Sequence, residues 1–400
     1  MAPSALQPGS PAKEYIYAGN RLVATEEPIP TPTPTPTPYP PCTPPTGIII
    51  SEFRLRGTGG SADEFIELYN NTDQAVSICT ADGSNGWAIV SADGVVKFVL
   101  PYNTTVPARA HYLAVGSGYS LTNYATGDIT LNSDAPDNAG LALFNTANPA
   151  NFNTANRLDA VGFTSDSNGL YREGTGQTPI GTTNGEYSFA RRLETGWAQD
   201  TGDNSADFAF LATDAGTYGG RVAILGAPGP ENLSSPIQRN GTIKLKLIDT
   251  GVSSTGAPNR VRDYAAVGLN AALGTLIIRR KVNNDTGGVV TRLRFRLADI
   301  TTLNSPGYVA GGGSQSDLRA LSSNDITVTL SDGSSLLVRG TTLETPPAQS
   351  NGGGQNSTLA AGIITMTQPL APGANLSVQF TLGVQQGGSY RFFVNVEALP

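Results

Sequence analysis

Any chemistry in this chain must be built from a sparse set of reactive side chains. Its 400 residues include one histidine, His111, two cysteines, Cys42 and Cys79, and two tryptophans, Trp87 and Trp197. A nucleophilic triad needs an imidazole between hydroxyl or thiol and acid, so it would have to use His111. That residue lies in Arg109-Ala110-His111-Tyr112-Leu113, at the entry of an expected strand, and reads as a strand-edge histidine. One histidine and two cysteines also fall short of the four ligands of a transition-metal site. Glu64 and Glu67 flank Phe65-Ile66, but residues three apart on a strand point to opposite faces. They cannot serve one substrate as acid and base, and they read as framework residues. No residue is assigned a catalytic role, no cofactor is required, and the chain is not expected to be an enzyme.

Oxygen ligands are better represented. Asp200, Asp203, Asn204 and Asp207 place four oxygen-bearing side chains in eight residues, and Asp134, Asp137 and Asn138 form a second group. Calcium takes six to eight such oxygens. Neither group has EF-hand spacing, and Asx-turns and helix caps use the same residues without a metal. Trp197, in a polar loop, is a candidate sugar-stacking residue or a packing residue. Trp87 reads as part of a core strand. Cys42 and Cys79 are either two thiols or one bridge closing a loop of about 38 residues, which would contribute roughly 4 kcal/mol.

Only 14% of residues are charged, against roughly 25% in typical soluble proteins, while glycine (47) and proline (28) are abundant. Such a surface is dominated by Thr, Ser, Asn and Gly, a pattern suited to extracellular β-rich proteins. A net charge of −7 argues against nucleic acid and anionic membranes as partners. No stretch reaches the ~20 apolar residues of a membrane-spanning helix. The start, MAPSALQPGSPAKEY, carries no apolar signal-peptide core, so export would use a signal outside this sequence or a processed start.

Four regions position these residues. Residues 1–27 hold one structured segment, Glu14 to Ala24, read as two short strands about Gly19-Asn20 or as one kinked strand. Residues 28–46 alternate Pro and Thr, a semi-rigid polyproline spacer of up to ~60 Å. Residues 47–235 show short strands at Ile48–Phe53, Phe65–Tyr69, Trp87–Val90, Val95–Leu100, Tyr112–Val115, Leu141–Phe144 and Ala160–Phe163, with long polar insertions at 116–140 and 145–157. Residues 236–400 alternate in the same way. There Thr275–Arg280 and Leu293–Leu297, about an Asn283–Gly288 turn, predict a hairpin. Helical periodicity is nearly absent, with at most a short helix near Ser205–Thr213. The fold class is therefore all-β, with two tandem immunoglobulin-like β-sandwiches behind an isolated strand segment and a Pro-Thr linker.

The order Ile48–Phe53, Glu64-Phe65-Ile66-Glu67-Leu68-Tyr69-Asn70, Val76-Ser77-Ile78, Gly86-Trp87 and Tyr112–Val115 resembles the bacterial lamin tail domain. So do Tyr187–Arg192, the Asp200–Phe208 stretch and Gly226-Ala227-Pro228-Gly229-Pro230, and the resemblance covers nearly half the chain. It implies an immunoglobulin-like sandwich in a secreted or surface protein, and no activity. The phrase Tyr15-Ile16-Tyr17-Ala18-Gly19-Asn20-Arg21-Leu22-Val23-Ala24 resembles one unit of the YD repeat of Rhs-type surface proteins, and one unit cannot bury its own face. Together these features predict an extracellular structural or adhesive protein. Tyr15, Ile16, Tyr17, Leu22 and Val23 would add a strand to the open sheet edge of another copy, so that the protein's main partner is itself. A carbohydrate- or matrix-binding module using the long loops is the alternative, with extracellular glycans as partners.

Overall fold

A computed structural model describes residues 14–18, 21–26, 38–312, 314–362 and 366–399. The chain divides into two compact units, residues 1–38 and 39–400. In the first unit, Glu14–Ala18 and Arg21–Glu26 pair antiparallel as a two-stranded ribbon, with Glu14 opposite Glu26 and a register irregularity between Ile16 and Tyr17. The segment is thus a hairpin and not a single strand, with Tyr15, Ile16 and Tyr17 on one arm and Leu22 and Val23 on the other.

The second unit is nearly all β. Its first half contains a seven-stranded sheet (sheet I) in the order Ile129–Thr130, His111–Val115, Phe65–Asn70, Ile48–Arg54, Tyr187–Arg191, Phe208–Ala212, Ile224–Leu225. It faces a four-stranded sheet (sheet II) in the order Arg157–Val161, Leu141–Phe144, Gly86–Ser91, Val96–Pro101. Alternation decides what fills the space between. Ile66 and Leu68, Tyr112 and Ala114, Trp87 and Ile89, and Leu141 and Leu143 point inward as every second residue of their strands. Phe53 stacks on Phe189 at 5.0 Å, and Phe163, Phe208 and Phe210 pack edgewise or tilted around them. Each fully buried aromatic of this kind contributes about 1.5–3 kcal/mol by leaving water. Trp87 lies in this core and donates its indole N–H to the carbonyl of Cys79 at 2.8 Å.

The second half repeats the design with a separate core. Sheet III runs Ile237–Gln238, Phe392–Leu399, Arg292–Ile300, Thr358–Ala361, Thr341–Leu343. Sheet IV runs Ile243–Leu247, Thr275–Asn284, Asn375–Gln386, Asp317–Leu321, with Arg260–Asp263 also paired to Thr275–Asn284. The expected hairpin about Asn283–Gly288 does not form, because its two arms belong to different sheets. Each arm has one apolar face, and both faces can be buried only if the strands oppose each other across the core. Leu293, Phe295 and Leu297 therefore share a cluster with Leu276, Ile278 and Val282, and the Asn284 side chain holds the connection by donating to the Gly288 and Leu370 carbonyls at 2.8 Å.

Both long insertions become covers. Tyr119, Leu121 and Ala125 bury Phe65 and Leu113 on the outer face of sheet I, and Phe152 stacks on Phe144 over sheet II at 4.8 Å. The end of the Pro-Thr segment also belongs to this unit. Tyr39 stacks on Tyr102 at 4.4 Å, the backbone N–H of Cys42 donates to the Thr80 carbonyl at 3.0 Å, and Cys42 is bridged to Cys79 with Cα atoms 6.1 Å apart. Among the described residues no helix is long and apolar enough to cross a membrane.

Candidate functional site

The outward faces of sheets I and III meet, and their contact is ionic. On sheet I the alternation that buries Ile66 and Leu68 turns Glu67 and Tyr69 outward, and His111 follows on the neighbouring strand. A bulge at Ser51 shifts the register of Ile48–Arg54, bringing Glu52 opposite Glu67 with Ser51 beside it. On sheet III the run Arg292-Leu293-Arg294-Phe295-Arg296-Leu297 sends its apolar residues into the core and its arginines to the opposite face. Glu397 pairs in register with Arg294, and Glu344 follows the Thr341–Leu343 strand.

The connection between the sandwiches supplies the hub. Glu231 Oε1 lies 2.6 Å from Arg294, and Glu231 Oε2 lies 3.2 Å from Arg296 and 3.1 Å from His111 Nε2. His111 Nδ1 is 2.9 Å from Glu67, so the imidazole has an acid at each nitrogen. Arg296 reaches Glu397 at 2.6 Å and the Asn356 side-chain oxygen at 2.8 Å, while the Asn356 amide donates to Glu52 at 3.0 Å. Arg294 lies over the Tyr124 ring at 4.7 Å, and Tyr124 hydrogen-bonds to Thr358 at 3.0 Å, so the 116–140 insertion also reaches across. The Gly229 N–H donates to Glu52 at 3.1 Å; a Cβ there would come within 2.5 Å of Arg296, which explains the glycine.

Charge is nearly balanced within this set. Five carboxylates (Glu52, Glu67, Glu231, Glu344, Glu397) face Arg292, Arg294, Arg296 and a protonated His111, which leaves one carboxylate in excess. Burial and the facing Glu67 push Glu52 up to about 7. Burial also pushes Glu397 up to about 7, with Glu231 adding to the effect and Arg296 opposing it. Burial pulls the His111 imidazolium down, but Glu67 and Glu231 outweigh it and raise the group to about 9.

This arrangement clamps the sandwiches. The Ser51 hydroxyl donates to Glu67, so the carboxylate stands between hydroxyl and imidazole. Nucleophile activation requires the imidazole in that middle place. The cavity beside Glu67, His111 and Arg296 measures about 40 Å³, room for a few waters and far below a ligand pocket.

The four residues considered for calcium are engaged in local tasks, and Asp200 and Asp207 lie 3.3 and 3.6 Å from the same nitrogen of Arg191. Asp203 caps the short helix Asn204–Asp207 and accepts from the Ser205 N–H. Asn204 is buried and spends its amide on Gly162, Glu173 and Ala160. Asp207 accepts from Thr201 and Gln199. Asp200 alone approaches other acids, with Asp159 and Glu173 offering oxygens within 4.8 Å of its own. Arg191 already binds Asp159 through both carboxylate oxygens, at 2.8 and 2.9 Å, and lies 3.3 Å from Asp200, so a cation is present there in covalent form. In the second group, Asp137 is held by Arg56 at 2.8 Å, and Asn138 braces Ile180 and Gly181.

Trp197 is 36% exposed, and the Arg109 guanidinium lies 3.8 Å over its ring, where a sugar would stack. Glu64 points away from Glu67 and accepts from the Ala135 N–H. Sequence reasoning missed the hub, although one signal was present: three arginines alternating with core residues on a central strand of a charge-poor chain require an acidic face opposite. Comparison with family models, curated proteins and solved structures gives no match to this chain.

Proposed function

We propose that this is a non-enzymatic extracellular structural or adhesive protein that assembles by strand addition. The observation carrying this reading is the hairpin of Glu14–Glu26, a unit separate from the body that follows the Pro-Thr segment. A two-stranded ribbon is marginal in water by itself and has an open edge on each side. Pairing with a sheet edge of another copy satisfies those backbone groups, and a heterologous contact of this type propagates into a filament. The clamp supports the reading, since a subunit that transmits tension benefits from sandwiches locked by buried ion pairs. The lamin-tail resemblance and the low charge agree with a surface setting.

Electron microscopy of the native full chain beside a variant lacking residues 1–27 tests this. Filaments in the first sample and single particles in the second are expected. Single particles in both would refute assembly.

A further inference from the structure

The acceptor for that hairpin can be read from the strand edges. In sheet III the strand Phe392–Leu399 is paired on one side along its whole length by Arg292–Ile300. On the other side it is covered only toward its end, by Ile237–Gln238 against Ala398 and Glu397, and by Arg239 and Asn240 against Val396. Backbone groups of an antiparallel strand alternate in direction, so those of Val394 and Phe392 point to the same side as those of Val396. Among the described residues nothing pairs with them there.

This edge also lacks the usual guards. Phe392-Phe393-Val394-Asn395-Val396 carries no charge, and Phe393 is 55% exposed. The edge of sheet IV on the same flank, Ile243–Leu247, carries Lys244 and Lys246, which face solvent. Lysine on an edge strand is a standard device against strand addition. Between the two edges the core is open. One hollow of about 210 Å³ between them is lined by Leu245, Ile278, Phe380 and Phe392; a second, of about 640 Å³, is lined by Tyr390, Leu276, Leu318 and Val384 and by no residue of either edge strand. Arg280 lines the first, and Arg260 and Arg262 line the second. Arg260 donates to the Tyr390 hydroxyl, Arg262 and Arg280 donate to backbone carbonyls, and none of the three meets a carboxylate among the described residues.

We infer that this flank is the acceptor site, and that its occupant is the Glu14–Glu26 hairpin of a second copy, hydrogen-bonded along Phe392–Asn395. The inference rests on the assembly reading above and names the surface that reading needs. Two complementarities carry it. The hairpin is rich in Tyr, Ile, Leu and Val, as a strand laid beside an open core must be. Its open end bears Glu14 opposite Glu26, flanked in sequence by Lys13 and Glu27, and the net charge of −2 complements the three arginines without carboxylates. A spacer of about 11 residues, 28–38, would reach roughly 35 Å at polyproline rise.

The test compares the native full chain, the variant lacking residues 1–27, and Val394→Pro, which removes one outward N–H without touching the pairing to Arg292–Ile300. Phe393→Lys serves as a second edge variant if Val394→Pro melts below wild type. Expected are filaments from wild type only, and a 1:1 complex when the truncated protein (acceptor only) is mixed with the edge variant (donor only). Arg260→Glu combined with Arg280→Glu is expected to weaken that complex at least tenfold and to reverse its salt dependence, because acid then faces acid. Filaments from both edge variants, with none from the truncated protein, would overturn the acceptor site and leave the assembly reading intact. Single particles from wild type would overturn both.

Discussion

Arg296 is the residue on which the joint turns, because it touches Glu231, Glu397 and Asn356 at once. Removing one member of a buried ionic set leaves its partners charged and unpaired, at about 3–5 kcal/mol. Arg296→Met is expected to lose stability on that scale in urea unfolding, and a loss below about 1 kcal/mol would contradict the clamp. His111 makes the joint sensitive to pH. Its folded value near 9 lies above its ordinary 6.5, so its stabilising contribution is complete below pH 6.5 and is lost as pH rises through 9. Glu52 and Glu397, near 7 when folded against 4.5 ordinarily, keep protons that the unfolded chain has released, so they too make stability fall between pH 4.5 and 7. Glu231 and Glu344 are shifted the other way, and their contribution fails only when pH drops below 4.5. The melting temperature is therefore expected to decline steadily from pH 5 to pH 9. His111→Gln should flatten the limb above pH 7. A melting temperature that is level or rising over that range in the wild type would sink the argument.

At the scale of elements, the Cys42–Cys79 bridge and the Tyr39–Tyr102 stack tie the last residues of the Pro-Thr segment to the rim of the first sandwich. A bridge closing a loop of this length stabilises by roughly 4 kcal/mol through the unfolded chain. Reduction, or Cys42→Ser with Cys79→Ser, should lower stability by that order. It should also open residues 39–46 to proteolysis, detectable by mass spectrometry of the fragments. An unchanged cleavage pattern would show that packing alone holds the segment.

At the scale of the whole molecule, two separate cores share one ionic and backbone seam. Leu225 donates to Leu303, and Gln355 donates to Leu225, across the boundary between the halves. Separation would break the His111–Glu231, Asn356–Glu52 and Tyr124–Thr358 contacts together with these backbone bonds. Calorimetry of the full chain is thus expected to give a single cooperative transition for both sandwiches. Two resolved transitions, with Arg296→Met shifting only one, would show that the seam is weak.

The all-β class, most strand positions and the inward set of each strand were legible in the amino-acid order, because a period of two and glycine- or proline-marked turns are local properties. Phe65, Glu67 and Tyr69 sharing one face was legible for the same reason. Partnership was not. The arms around Asn283–Gly288 read as a hairpin locally, and only the need to bury two apolar faces against each other sent them into different sheets. His111 read as a lone strand-edge residue, since nothing near it in the chain announces that Glu231, 120 positions later, closes over its second nitrogen. The aspartates near position 200 looked alike in the chain, yet caps, turns and Arg191 claimed them one by one. Local order thus decides which way each side chain faces. What it faces is decided by sheet stacking, where charges far apart in the chain must neutralise one another once water is gone.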